Sequence, residues 1–457
     1  MSHTLDIVNP ATGTTIATVA QDDAGSIARK FQAARSAQPA WAQTPLARRL
    51  EILGRFREGV SSSLEELALI TTTETGKPIS QSRNELRGLL GRIDFFLKET
   101  AGVLQATEVH QESGLVERIS LEPLGIVGNI SAWNYPYFVG SNVFVPALLT
   151  GNAVLYKPSE YATQTGLALT QRLLEAGVPS EIFAPIIGTG DVGALLLQQP
   201  LNGVFFTGSY PTGVRVATAA ARGLMKVQLE LGGKDPIYVT EDVDVASVAA
   251  ATADGAFYNV GQSCCAVERI YVHEAIHDAF VEAFLETVRG FVIGDPRDDT
   301  TYIGPLTRAE QLAVLSDQVA DAVNQGAKLC VGGQRLDRVG NYFAPTVLTN
   351  VDHRMKVMRD ESFGPIIGIQ KVRNDAEATA CMADTPYGLT AGVYSRTLER
   401  AQPILDAMPT GSVYWNCCDR VSPRLPWSGR GHSGIGSTLG KAGIAAFVQP
   451  KAWHLRG

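Results

Sequence analysis

The chain has 457 residues, 45% hydrophobic and 19% charged, with a formal net charge of −7. That length predicts two or three domains of a globular protein, and mild acidity unbroken by any basic run argues against a nucleic-acid partner. No apolar run reaches the roughly 20 residues of a membrane helix, no basic stretch leads into an apolar one at the N-terminus, and the six cysteines include no C-x-x-C spacing, so free thiols predict a cytoplasmic protein without a metal site.

Helical spacing comes first. Leu46, Leu50, Leu53 and Phe56, then Leu86, Leu90, Ile93 and Leu97, each define an apolar face, so the first hundred or so residues are expected to be helical. From about residue 120 short apolar runs bounded by Gly, Pro and Asn ("GIVGNI", "AVLYKP", "GVFFTG", "KVQLELGG") suit buried parallel strands. "TQTGLALTQRLLEAG" and "TGVRVATAAARG" suit helices between them, and the alternation resumes with helices expected around 242–257 and 273–289 flanking strand-like "RIYV". The predicted fold class is α/β, two lobes with a cleft between them. "LVERISLEPLG" and the C-terminal "FVQPKAWHLR" read as extended segments outside both lobes.

Several stretches can carry chemistry. "YNVGQSCCAVER" sets Cys264 beside Cys265; adjacent α-carbons are about 3.8 Å apart, below the roughly 4.4 Å minimum of an ordinary disulfide, so these are thiols and one can be a nucleophile. "ISAWNYP" holds Asn134 between Trp133 and Tyr135, either as an amide donor on a pocket wall or as a turn residue. "GNAVLYKPSE" brings Lys157 and Glu160 to the carboxyl end of a strand, where α/β sheets hold ligands; they can bind ribose hydroxyls or simply form a solvated pair. "FFTGSYPTG" ends a strand at Gly208, offers Ser209 as a helix N-cap and puts Gly213 in the first turns, a form that suits a pyrophosphate, although Gly-x4-Gly is not the dinucleotide fingerprint. In "LELGGKDP", Glu230 closes an apolar strand, either desolvated enough to become a useful base or solvated at the strand end.

In order and rough spacing, "AWNYP", "GNAVLYKPSE", "FTGSYPTG", "LELGGKDP", "GQSCCA" and "ESFGPI" resemble the motifs of the NAD(P)-dependent aldehyde dehydrogenase superfamily over nearly the whole chain. The resemblance implies two Rossmann-like α/β lobes, cofactor and catalytic: an NAD-binding domain of residues 1–103 and 124–231 and a catalytic domain of 232–432. Residues 104–123 and 433–457 would form a small β oligomerisation arm whose open edges invite a partner chain, giving a homodimer or homotetramer.

The same resemblance implies roles. Cys264 would attack the aldehyde, with Cys265 its neighbour at the substrate mouth; Asn134 and the Cys264 N–H would stabilise the oxyanion, and Glu230 would activate water, which disfavours coenzyme A as the acceptor. Lys157 and Glu160 would hold the adenosine ribose, Glu361 the nicotinamide ribose, with Ile130, Trp133, Gly208, Ser209, Gly213, Leu231 and Phe363 completing the dinucleotide site. Glu160 would repel a 2′-phosphate, so NAD is expected over NADP. The joint presence of Cys264, Glu230 and Asn134 speaks against an inactive scaffold or binding relative.

Some positions depart from the commoner pattern: Val143 replaces a Lys, Thr438 a Glu, and Gly431 another Lys beside His432, so the proton relay must differ. For substrate, Tyr135, Tyr258 and Trp427 would line the tunnel, with Val139, Asn142, Ser263 and Cys265 nearby and Arg420 and Arg424 at the mouth. Three rings predict uncharged aliphatic or aromatic aldehydes. An amino- or betaine-aldehyde, favoured by the aromatic pair, and a semialdehyde, favoured by the arginines, are the alternatives; relatives specific for succinic semialdehyde carry Arg where Asn142 and Tyr258 stand.

Overall fold

A computed structural model describes residues 4–457. The chain opens not on a helix but on an antiparallel hairpin, Thr4–Val8 with Thr15–Ala20, where more buried residues such as Leu5 and Ile7 alternate with exposed ones. Helices Ala24–Gln43, Leu46–Ser62, Leu64–Thr75 and Ile79–Val103 follow. In the last of these the buried face is Leu86, Leu89, Ile93 and Phe96; Leu90 and Leu97, expected on it, are only partly buried. Glu85 and Arg92 also lie on the buried face.

Two parallel sheets form the framework. The first has six strands in the order Gly434–Ile435, Lys226–Glu230, Gly203–Thr207, Ile126–Ile130, Ala153–Lys157, Phe183–Pro185, all parallel except the first. Its strand order reverses between Ile126–Ile130 and Gly203–Thr207, and a crevice opens at the carboxyl ends of strands at such a switch point. The second has seven strands, in the order Lys328–Val331, Thr346–Thr349, Ile366–Val372, Arg269–His273, Pro236–Val239, Thr390–Tyr394, Ser412–Trp415, with only the first antiparallel. Helices Val245–Phe257 and His277–Arg289 flank strand Arg269–His273 along the chain, as the spacing predicted. Each sheet has its own apolar core; the second begins at Ile237, while Cys265, Leu389, Trp427, Leu439, Ile444 and Phe447 return to the first.

The extended segments outside the lobes pair with each other: Val448–Arg456 runs antiparallel to Leu115–Pro123, which pairs in turn with Thr107–Glu112. The expected arm is corrected at its C-terminal part. Residues 433–447 stay with the first sheet, because Gly434–Ile435 adds an edge strand there and Leu439, Ile444 and Phe447 are buried in its core. Asn152 fastens this junction, donating to the Phe447 carbonyl at 3.0 Å and accepting from the Gly125 N–H at 2.9 Å. No helix among the described residues is long and apolar enough to cross a membrane.

Candidate active site

The loop carrying the paired cysteines is held in a costly conformation. Asn259, Val260 and Gly261 are all left-handed, with φ of 52°, 61° and 71°; for β-branched Val260 this is a sparsely populated region. A methyl group on Gly261 would lie 2.3 Å from the Gly364 carbonyl, so only glycine passes there. Buried polar groups fix the loop: Gln81 Oε1 accepts from the Asn259 N–H at 2.8 Å, and Gln262 Oε1 from the Thr307 N–H at 3.0 Å. Asn259 Nδ2 donates to the Asn134 carbonyl at 3.0 Å, while Asn134 Nδ2 donates to the Gln262 carbonyl at 3.1 Å. Residues more than a hundred positions apart are thus joined, and the Asn134 amide lies against the cysteine loop.

The two thiols differ sharply. Cys264 is only partly buried, on a cavity of about 490 Å³. Cys265 is 5% exposed, packs in the core of the first lobe although its loop leads into the second, and donates from Sγ to Asp419 Oδ1 at 3.0 Å. Its interaction with Cys264, then burial, then the Asp419 charge push its pKa well up, so it stays a thiol.

Glu230 ends its strand buried beside the same cavity. Burial pushes its carboxyl up to about 8, against the opposing pull of the Arg92 guanidinium and of a hydrogen bond from Thr438. The Thr438 hydroxyl lies 3.4 Å from both carboxylate oxygens, so this replacement keeps a polar contact to Glu230. Val143 is simply buried in the core. At Gly431, with φ of 57°, a methyl would sit 2.5 Å from the Pro386 carbonyl, which leaves no room for a lysine in this conformation. His432 stacks on Tyr210 at 3.8 Å and does not border the cavity.

At the switch point, Ile130 and Lys157 end adjacent strands, and Glu160 Oε2 lies 3.7 Å from Lys157 Nζ, whose pKa burial pushes down. Trp133 meets Phe363 edge-on at 5.5 Å. Gly208 and Gly213 cannot carry side chains unaided: added methyls would lie 2.4 Å from the Phe206 ring and 2.6 Å from Leu231. Ser209 takes the N-cap position of helix Tyr210–Arg222, but its hydroxyl donates to Thr212 Oγ1 at 3.1 Å and not to the helix backbone, which corrects the expected cap. Glu361 accepts from the Gly233 N–H at 3.0 Å, and burial pushes its carboxyl up to about 8. Glycine cradles, a helix N-terminus and paired charges at a switch point fit a dinucleotide.

A family model described as the aldehyde dehydrogenase family matches residues 1–453. The chain belongs to that family. It is 35% identical to a 3,6-anhydro-alpha-L-galactose dehydrogenase of Streptomyces coelicolor, over 100% of this chain and 94% of that one. It is 34% identical to a succinate-semialdehyde dehydrogenase [NADP(+)] of Deinococcus radiodurans, over 97% and 93%. The structure of lactaldehyde dehydrogenase from Escherichia coli superposes with a TM-score of 0.97 at 30% identity, covering 100% of this chain and 96% of that one. The protein is therefore an NAD(P)-dependent oxidoreductase that acts on aldehydes.

In this aldehyde dehydrogenase the predicted substrate residues Tyr135, Val139, Asn142, Tyr258, Ser263, Cys265, Arg420 and Trp427 all border one cavity with Cys264 and Glu230. Arg424 joins them, while Asn134 lies just behind the Cys264 loop. Sequence reasoning missed Glu85, Arg92, Phe138 and Asp419 on the same walls. Glu85 pairs with Lys77 and accepts from the Tyr137 and Phe138 N–H groups at 2.8 and 3.2 Å, capping the helix Pro136–Leu149 that presents the substrate wall. The signal was available: charges at 85 and 92 share a helical face with Leu89 and Phe96.

Also missed was the Lys234–Glu268 pair, buried at 2.6 Å. Glu268 accepts from the Ser362 and Phe363 N–H groups at 3.1 and 3.0 Å, so it clamps the segment bearing Glu361 and Phe363. Removing one partner strands a buried charge, at roughly 3–5 kcal/mol, whereas removing both costs much less. We therefore expect Lys234→Met to lower the urea midpoint strongly, and the added change Glu268→Leu to recover much of that loss; equal or additive losses would refute this coupling.

Proposed function

We propose that the enzyme oxidises its aldehyde to the carboxylic acid through a Cys264 thioester that water resolves, with NAD preferred over NADP. The observation that carries this reading is the division of labour around one cavity: an accessible Cys264 thiol, a neighbouring Cys265 held protonated, and a buried carboxyl at Glu230.

The Cys264 thiol first loses its proton to solvent, and the thiolate sulfur then forms a bond to the aldehyde carbon as the carbonyl π pair moves to oxygen. The Asn134 amide has one proton engaged by Gln262 and a second free, and the Cys264 N–H has no protein acceptor among the described residues; these two donors stabilise the oxyanion, each worth about 3 kcal/mol of barrier. A bound nicotinamide supplies the acceptor for the hydride that leaves this carbon. Glu230 then takes a proton from water as its oxygen attacks the thioester, the C–S bond breaks, and the thiolate returns. Lys157 and Glu160 hold the adenosine ribose and Glu361 the other ribose.

For assembly, Thr107–Glu112 leaves one strand edge unpaired with Val109 exposed, and Ser412–Trp415 leaves another with Val413 and Trp415 exposed. These edges support a homodimer or homotetramer. Six free cysteines support a reducing, cytoplasmic setting. For substrate, the ring-lined wall supports the apolar aldehyde expected from sequence, but a buried arginine in the same cavity favours a polar tail.

Rapid mixing with aldehyde and NAD tests the cysteine and base assignments together. Cys264→Ala should give no NADH, and Cys265→Ala at least a tenth of normal turnover. Glu230→Gln should give about one NADH per site and then turnover slowed by roughly 10²-fold, the worth of a general base. Equal loss from both cysteine changes, or undiminished turnover in Glu230→Gln, would refute the scheme.

Because burial holds the Glu230 carboxyl near 8, thioester hydrolysis should rise with pH up to about that value, as the carboxyl loses its proton. Thr438 favours the ionised form, so Thr438→Val should move the rising limb to higher pH. A hydrogen bond worth about 1 kcal/mol corresponds to about 0.7 pH unit. An unmoved limb would assign the titration to another group.

Glu160 should set cofactor choice, in contrast to the Deinococcus radiodurans relative named for NADP(+). Wild type is expected to favour NAD by kcat/KM, and Glu160→Ser to raise NADP use about fivefold to tenfold, near the 1 kcal/mol of one screened charge contact. A wild-type preference for NADP would overturn this reading.

A further inference from the structure

Every fully buried lysine near the cleft has a carboxylate partner: Lys77 has Glu85 and Lys234 has Glu268. Buried Arg269 instead spends its donors on the carbonyls of Lys234, Cys381 and Met382. Arg92 has neither. It is 5% exposed and borders the cavity that holds Cys264, yet it makes a single hydrogen bond, from Nη1 to Asn142 Oδ1 at 3.0 Å, and no ion pair among the described residues. The guanidinium carbon lies 3.7 Å from the Phe138 ring centroid. Phe138 thus supports the flat face of the group and Asn142 fixes one corner, while its remaining donors are not shut away from the cavity.

We propose that Arg92 is a specificity residue that binds a carboxylate on the tail of the substrate, so that the preferred aldehydes are ω-oxo acids. This rests on the function proposed above and names the substrate class for that same cavity. A buried cation without a counter-ion is costly, and a planar fork with open donors matches a carboxylate bidentately.

The carboxyl groups around the cavity are otherwise engaged. Glu85 is taken by Lys77 and the helix N-terminus. Glu230 accepts from Thr438, and Asp419 accepts from Cys265 and Ser263. Burial holds those last two up at about 8 and about 7, which removes much of their negative charge near neutral pH, whereas Arg92, lowered only to about 10, keeps its charge. Arg420 and Arg424 at the mouth add attraction for an incoming anion.

The test compares kcat/KM for succinic and glutaric semialdehydes with butanal and pentanal. Wild type should favour the oxo acids at least tenfold. Arg92→Met should bring that ratio close to one, chiefly through KM for the acids, and Arg92→Lys should restore part of it. A second measurement needs no variant: glutarate should inhibit the wild-type enzyme, competitively with aldehyde, at least tenfold more strongly than pentanoate. A wild-type ratio at or below one, equal loss on both substrate series in Arg92→Met, or glutarate no stronger than pentanoate would overturn the assignment. If pentanal is oxidised but the acids are not preferred, only the role of Arg92 falls; if no aldehyde yields NADH, the proposed function falls with it.

Discussion

The structure depends above all on the left-handed run Asn259–Val260–Gly261, which turns the chain so that Cys264 faces the cavity while Cys265 enters the core of the other lobe. Such backbone costs on the order of 1–3 kcal/mol per strained residue. Hydrogen bonds at about 1 kcal/mol each offset it, and they come from Gln81, Asn134 and Thr307, well separated along the chain. The loop is also one of the places where the two lobes are tied together, beside the Ile79 N–H to Pro296 carbonyl and Thr307 hydroxyl to Thr75 carbonyl bonds. A slip of one residue would exchange the accessible thiol for the buried one.

Around this loop, buried charges serve as struts. Glu85 binds Lys77 and caps the helix that carries the substrate wall; Glu268 binds Lys234 and clamps the segment carrying Glu361 and Phe363. Each pair gives up hydration, and each recovers it through extra backbone N–H donors as well as through the opposite charge. The same arithmetic makes Arg92 conspicuous, because it gives up hydration with no carboxylate in return, only one hydrogen bond to Asn142 and the Phe138 ring. Glu230 differs again: its desolvation is only partly relieved by the Arg92 guanidinium and by Thr438, which leaves its carboxyl near 8.

Much of the framework was legible from the sequence. "GIVGNI", "AVLYKP" and "GVFFTG" became adjacent parallel strands because apolar runs bounded by Gly and Pro have few other stable placements. The two outlying segments could be seen to belong to neither lobe, but not that they pair with each other over Val448–Arg456 and Leu115–Pro123, since antiparallel partners can lie hundreds of residues apart. The opening hairpin was missed because strands of five and six residues carry too weak a period to stand out before long helices. Leu89 and Phe96 were overlooked in favour of Leu90 and Leu97 because Leu is apolar wherever it falls, and only packing chooses the face.

The site divides in the same way. Sequence alone determined the chemical inventory, a thiol after Gly-Gln, an amide between aromatics and a carboxylate before Gly-Gly, because local order and resemblance suffice to name such groups. Tertiary structure decided their environments: which thiol is reachable, how far Glu230 is desolvated, and which charges face the cavity from a distant helix. Asp419 and Glu268 were silent in the sequence, and the helical-face signal at Arg92 was passed over, because a charged residue there is read as solvated. Only the packing of one element on another removes the water and turns it into part of a site.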